Sequence, residues 1–178
     1  MEFKKLILEK LNPLFIKFGF RLIEKSKEIV KYELDNLIIT IVHNPRENSN
    51  TLWVGKEGFK EVEVDDQVMK EFFNSDLKLS NLPQETFVNN VLLFFLGDGK
   101  GVIKGNESDI ISLEKFNKKR SKEYTESLLN KQFLEAANKA WREGNYADVI
   151  KYLKRVNEKS LTTSFKQKYK ISQQRLRK

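Results

Sequence analysis

The sequence predicts an α+β protein, in which an antiparallel β-meander is backed by an N-terminal helix and followed by an α-helical C-terminal part. Two observations predict this class. Between residues 20 and 64, short runs rich in β-branched residues alternate with polar turns, as antiparallel strands do. From residue 108 onward, apolar residues recur every three or four positions, as they do in amphipathic helices.

The N-terminal helix is predicted from apolar residues at positions 6, 7, 11, 14, 15 and 18, which recur at helical spacing. Pro13 predicts a bend near residues 11–12, because proline cannot donate a backbone hydrogen bond inside a helix. Gly19 predicts the end of the helix, since glycine readily adopts the left-handed conformation found there.

The strands are predicted at 20–24, 29–34, 37–43, 52–54 and 60–64. The segment 37–43, LIITIVH, is the strongest of them. Asp35 and Asn36 supply turn chemistry between the second and third strands. The simplest arrangement is a meander with the first helix across one of its faces.

Two further helices complete the predicted sheet domain, which spans residues 1–96. Asp65 or Asp66 can cap a helix over 68–73, and Pro83 suits the first position of a buried helix over 87–95. The glycine-rich segment 97–107 is predicted to be a linker. Residues 108–178 are predicted to form the helical part, packed on or beside the sheet domain.

The helical part is predicted to contain one helix over 113–129, a second over 133–141, a capped helix starting after Asn145 and a last helix over 161–176. Its charge differs from that of the preceding part. Residues 1–114 carry 15 Lys and Arg against 19 Asp and Glu, whereas 115–178 carry 18 against 6. Such a division predicts that electrostatics guide the binding of partners.

Several classes of function find no support in the sequence. The chain has no cysteine, which excludes disulfides and fits a cytoplasmic location. Charged residues interrupt the N-terminus, so no signal peptide is predicted there, and no apolar run could span a membrane. The single histidine, His43, has no neighbouring nucleophile motif, and GDGKG at 97–101 departs from the phosphate-loop pattern. We therefore expect a non-enzymatic protein with no metal and no cofactor.

Five residues around the last strands are candidates for binding a protein partner. Glu61 and Glu63 should face the same side of their strand, because side chains alternate. Asp65 and Asp66 extend this acidic row, which we expect to face a basic partner. Trp53 is either an exposed anchor for that partner or the inward residue of its strand, and the sequence leaves both open.

The alternative function is binding to nucleic acid through the basic C-terminal helices. Phosphate neutralisation needs little more than clustered lysine and arginine side chains. No sequence signature of a nucleic-acid-binding fold accompanies them. The candidate residues are Lys118, Lys119, Arg120, Lys122, Lys166, Lys168, Lys170 and Arg175.

Residues 136–156, AANKAWREGNYADVIKYLKRV, resemble the central part of a tetratricopeptide repeat. Small residues precede Trp141, the Gly-Asn-Tyr turn follows, and Val149 and Ile150 stand where such repeats often carry Ala-Ile. The usual proline after the second helix is absent, and the match covers about one repeat. The resemblance implies a helical hairpin that makes protein–protein contacts.

The whole chain also resembles immunity-type proteins of bacterial polymorphic toxin systems. The likeness rests on the first helix, the Gly19-Phe20 turn, the strands through LIITIVHNPRE at 37–47, and a helical tail that ends in a lysine-rich helix. It implies a non-catalytic cytoplasmic protein that binds and neutralises a toxin domain. It assigns no particular contact residues.

Overall fold

The computed structural model describes residues 3–58 and 60–177, in which helices enclose one side of a five-stranded sheet and continue to the C-terminus. A 3-10 turn, Glu158–Ser160, precedes the last helix. The helices and strands, in chain order, are α1 Phe3–Lys10, α2 Asn12–Lys17, β1 Arg21–Lys25, β2 Ile29–Leu34, β3 Leu37–Asn44, β4 Ser49–Lys56, β5 Val62–Glu63, α3 Asp66–Glu71, α4 Gln84–Leu96, α5 Lys100–Ile103, α6 Glu107–Arg142, α7 Tyr146–Leu153 and α8 Thr163–Arg175. This confirms the predicted α+β class.

The sheet is an antiparallel meander with strand order β1-β2-β3-β4-β5, as predicted. β4 is longer than predicted because polar Ser49 and Asn50 continue the ladder with β3, while β5 is shorter. At the β1 edge, Ile23 is an extra residue between the paired positions Leu22 and Glu24. Such a bulge, together with charged neighbours, discourages another strand from pairing with this edge.

The core of the first part lies on one face of the sheet, which we call the inner face. Side chains there alternate with outward ones and are almost fully buried, and helices α1 and α4 contact this face. Phe15, Phe20, Tyr32 and Phe95 form a cluster of aromatic rings at its centre. Burial raises the pKa of the Tyr32 phenol, whose hydroxyl donates to Asn12 Oδ1 at 3.3 Å.

Pro13 separates α1 from α2, as the sequence predicted, and Gly19 follows with a φ of +90°. Pro83 lies one position earlier than expected, since it is the N-cap of α4 rather than its first residue. Asp65 is the N-cap of α3, because its side chain accepts from the Val68 backbone N–H at 2.8 Å.

The segment 97–107 contains the short helix α5, whose Val102 and Ile103 are buried in the same core as the sheet. Its glycines allow close packing. A Cβ on Gly99 would lie 2.5 Å from the Phe94 ring, and one on Gly101 would collide with the Asp109 carboxylate. The glycines that predicted a linker therefore occupy packed positions.

Helix α6 runs without a break over 36 residues, where the sequence predicted two helices. The chain divides into two compact units, Met1–Lys118 and Lys119–Lys178, and the division falls inside this helix. None of the described helices combines the length and the apolar character that crossing a bilayer requires.

The unit of residues 119–178 has its own small core. Ala137, Ala140, Val149 and Leu153 are buried there, and Trp141 packs against them while remaining half-buried. The predicted turn joins α6 to α7, with Gly144 at a φ of +70°. Asn145 accepts from the Asp148 backbone N–H and donates to the Asp148 carboxylate, which is the predicted cap.

Candidate functional site

The face of the sheet opposite α1 and α4, which we call the outer face, is only half-buried. Among the described residues, its large apolar side chains belong to neither hydrophobic core. They are interleaved with four carboxylates and two cations. Its residues, by strand register, are Arg21, Glu24, Ile29, Lys31, Glu33, Ile38, Thr40, Val42, Thr51, Trp53, Gly55, Glu61 and Glu63.

Trp53 lies near the middle of the outer face. Its strand neighbours Leu52 and Val54 are buried on the inner face, so Trp53 itself points outward. Trp53 is therefore not the inward residue of its strand. The indole Nε1 donates to Thr51 Oγ1 at 2.9 Å, which fixes the orientation of the ring.

Glu61 and Glu63 face the same side of the sheet, as their spacing predicted, and both lie near Trp53. Glu63 is paired directly with Trp53 in the ladder, and Glu61, just before β5, adjoins Gly55, two residues after Trp53. Glu61 approaches the sheet closely because its neighbour is Gly55, where a Cβ would lie only 2.8 Å from the Glu61 Cα. The two glutamates and the indole therefore form one continuous patch.

Lys31 contributes its ammonium group to this patch from β2. Its Nζ lies 3.4 Å from Glu61 Oε1, and the two side chains are 26% and 25% exposed. The strand order requires this ion pair to pass over β3 and β4. The pair therefore covers part of the outer face.

Thr40 lies between Lys31 and Trp53 in the ladder and is 7% exposed. Its Oγ1 is buried, and none of the described residues offers it a hydrogen bond. Buried hydroxyl groups in folded proteins usually have a partner, and leaving one without costs about 1–3 kcal/mol. Thr40 is thus a polar group held at the floor of the patch.

Asp65 and Asp66 bind backbone groups of their own unit. Asp65 caps α3, and Asp66 Oδ1 accepts from the Leu79 N–H at 2.6 Å and the Ser80 N–H at 2.9 Å. Both aspartates are half-buried. These contacts fix the segment that follows α3, so structural roles account for the positions of the two aspartates.

Replacing Asp66 by alanine should lower the free energy of unfolding by about 2–4 kcal/mol, because two backbone N–H groups would lose a charged acceptor. Asp66→Asn keeps an acceptor oxygen and should cost less. Urea unfolding of both variants measures the difference. An alanine variant as stable as the wild type would show that these hydrogen bonds contribute nothing.

His43 has partners for both ring nitrogens. Nδ1 lies 3.0 Å from Asn50 Oδ1, and Nε2 lies 3.1 Å from Gln84 Nε2. Asn50 in turn donates to the Leu82 carbonyl at 3.1 Å. The histidine therefore joins β3 and β4 to the start of α4, which agrees with the structural role predicted for it. No group of three His, Asp or Glu side chains that could hold a metal ion occurs among residues 3–58 and 60–177.

The basic residues predicted for nucleic acid lie on α6 and α8. Lys119 and Lys122 are near Glu123 and Glu126, one helical turn away, at 3.9 and 4.0 Å. Lys168 donates to Asn138. Within residues 119–178, a groove of about 520 Å³ is lined by three glutamates and three asparagines, with Lys131 as its one basic side chain among the described residues. The candidate lysines therefore do not converge on this groove.

Tyr124 is an exposed aromatic residue of the basic region, and it lies in the helix predicted over 113–129. Its side chain is 66% exposed, in a stretch where residues 121–129 are all exposed. Helical periodicity did not reveal this exposure, because the tyrosine recurs in phase with residues that are buried elsewhere along α6.

Scans against protein-family models, curated proteins and solved structures found no match to this chain.

Proposed function

We propose that this chain is a non-catalytic protein-binding protein of immunity type, whose outer face binds and neutralises a basic toxin domain. The observation that carries the proposal is an outer face that contains Trp53, Ile38 and Val42 and lies outside both hydrophobic cores. Partly exposed apolar groups with polar neighbours are found at interaction surfaces, and tryptophan often contributes strongly to binding energy.

The charge of the outer face supports a basic partner. Its four carboxylates, Glu24, Glu33, Glu61 and Glu63, outnumber its two cations, although the chain as a whole carries a net charge of +8. The local excess of negative charge would attract a basic domain and speed its association. A chain without cysteine suits the reducing cytoplasm, where we place the protein.

The experiment is a growth assay in a bacterial host that expresses the protein encoded directly upstream of this chain. We expect that protein to arrest growth and wild-type chain to restore it. The double variant Glu61→Lys, Glu63→Lys should fail to restore growth while remaining folded. The matched control Glu28→Lys, Glu47→Lys changes net charge equally at exposed loop positions and should restore growth. Restoration by the outer-face variant would exclude the outer face.

A second candidate function is binding to nucleic acid, which the exposed Tyr124 favours. It lies on α6 close to Lys118, Lys119, Arg120 and Lys122, and aromatic rings among cations can stack on bases. Micromolar binding of mixed-sequence DNA near physiological salt, lost when the lysines and Tyr124 are replaced, would place this function first. Binding that persists without them would exclude it.

A further inference from the structure

We propose that the outer face recognises an arginine side chain of its partner, which takes the place of Lys31 on Glu61 and stacks on Trp53. This inference rests on the proposed function and names the chemical group that the partner presents. It follows from three features of the patch: an internal cation on Glu61, a buried hydroxyl without a partner, and an indole held in a fixed orientation.

The first feature is the Lys31–Glu61 ion pair. Lys31 lies on β2 and Glu61 lies directly before β5, three strand positions away, so their side chains together bridge about 14 Å. Reaching across two strands orders two long side chains, and exposed or partly exposed ion pairs of this kind contribute only about 0–1 kcal/mol. A cation from outside can therefore replace the Lys31 ammonium at little cost.

The second feature is Thr40, which faces outward directly beside Lys31. Because the Lys31 side chain must cross β3 to reach Glu61, it passes beside Thr40, its cross-strand neighbour. The Thr40 hydroxyl is more than nine-tenths buried and has no hydrogen-bond partner among the described residues. If Lys31 moves away, this oxygen becomes available to a donor from the partner.

The third feature is the indole of Trp53. Its Nε1–H is already bound to Thr51, so the ring offers its face rather than its polar edge to an incoming group. Gly55, the next outward residue on β4, has no side chain, and Glu61 packs closely over it. A flat cation stacked on the ring would therefore lie beside the Glu61 side chain.

These features favour arginine over lysine. A guanidinium group is planar and carries five N–H donors, so it can stack on an indole while donating to a carboxylate and a hydroxyl at once. An ammonium group is compact and more strongly hydrated, and the protein already supplies one through Lys31. An arginine can therefore stack on Trp53 and donate to the Thr40 hydroxyl, in addition to pairing with Glu61 as Lys31 does.

The test uses full-length protein carrying Trp141→Phe, so that all tryptophan fluorescence comes from Trp53. The probes are the capped tripeptides Gly-Arg-Gly and Gly-Lys-Gly. We expect the arginine peptide to change the fluorescence and to bind about fivefold more tightly than the lysine peptide. Lys31→Met should tighten arginine binding about tenfold by removing the competing cation, and Glu61→Gln should weaken it about tenfold. Glu47→Gln is the control at an exposed loop position and should change nothing.

Equal binding of the two peptides, no response of Trp53, or a Lys31→Met variant that binds no more tightly would each overturn the inference. The growth assay separates this failure from that of the proposed function. If the peptides fail while reversal of Glu61 and Glu63 still abolishes restored growth, the outer face binds the toxin by other contacts. If the peptides bind as expected while the reversed variant restores growth, the arginine site is real and the proposed function is wrong.

Discussion

Replacing Phe15 by alanine is expected to lower the free energy of unfolding by about 3–5 kcal/mol. The side chain is fully buried, and its ring centroid lies 4.4 Å from that of Tyr32, 5.3 Å from that of Phe95 and 5.5 Å from that of Phe20. Truncation would leave a cavity between α2, the sheet and α4. The surrounding rings are packed too tightly to move into it.

The neighbouring residue on the same helix is the control. Ile16 is 54% exposed, so Ile16→Ala removes little buried surface and should cost less than about 1 kcal/mol. Urea unfolding followed by circular dichroism measures both variants. Equal midpoints for the two variants would mean that Phe15 does not occupy the centre of the core.

The strands and their meander could be predicted because runs rich in β-branched residues, above all LIITIVH at 37–43, are separated by polar turns. Such runs do not say which side chains of a short strand face the core. The direction in which Trp53 points could therefore not be predicted, whereas the register Thr40–Trp53–Glu63 shows that it points to the outer face. Which side chains of a strand face the core depends on the assembled sheet and not on one strand alone.

The packing of the glycine-rich segment 97–107 could not be predicted from the sequence either. Glycine occurs both where a chain must bend and where two groups must approach closely, and composition does not distinguish these uses. Gly99 lies against the Phe94 ring, and Gly101 against Asp109. Both contacts depend on how α4, α5 and α6 pack, so they could not be predicted from residue type.

Helix α6 was predicted as two helices, over 113–129 and 133–141, because the polar residues 130–132 separate their apolar positions. The helix continues through them because no glycine or proline interrupts residues 107–142. Apolar periodicity also failed to predict burial here, since residues 121–129 belong to the first predicted helix and are all exposed.

Of the four acidic candidates, the two aspartates bind backbone groups, whereas the two glutamates lie on the outer face. Local sequence predicted only part of this difference. A capping role for Asp65 or Asp66 could be predicted from the neighbouring residues. The bonds from Asp66 to the backbone of Leu79 and Ser80 could not, because these residues lie 13 and 14 positions away. Glu61 and Glu63 remain as the glutamates that adjoin Trp53 on the outer face.

The largest effect on binding is expected when Glu61 and Glu63 are both replaced by lysine. The change reverses the charge beside Trp53 and places a lysine against Lys31. We expect the rate constant for association with the proposed basic toxin domain to fall about ten- to hundredfold at low salt, because steering by opposite charge is lost. Stability should be affected far less than association, because the Lys31–Glu61 pair is partly exposed and such pairs contribute about 0–1 kcal/mol.

The role of the outer face is tested most directly by stopped-flow measurement of association with the proposed toxin domain. The variant Glu61→Lys, Glu63→Lys is compared with the control Glu28→Lys, Glu47→Lys at about 0.01 M and about 1 M salt. Charges act over about 30 Å in the first solution and about 3 Å in the second. We expect the outer-face variant alone to associate slowly at low salt, and its difference from the control to shrink at high salt. Equal rates for the two variants at low salt would contradict binding at the outer face.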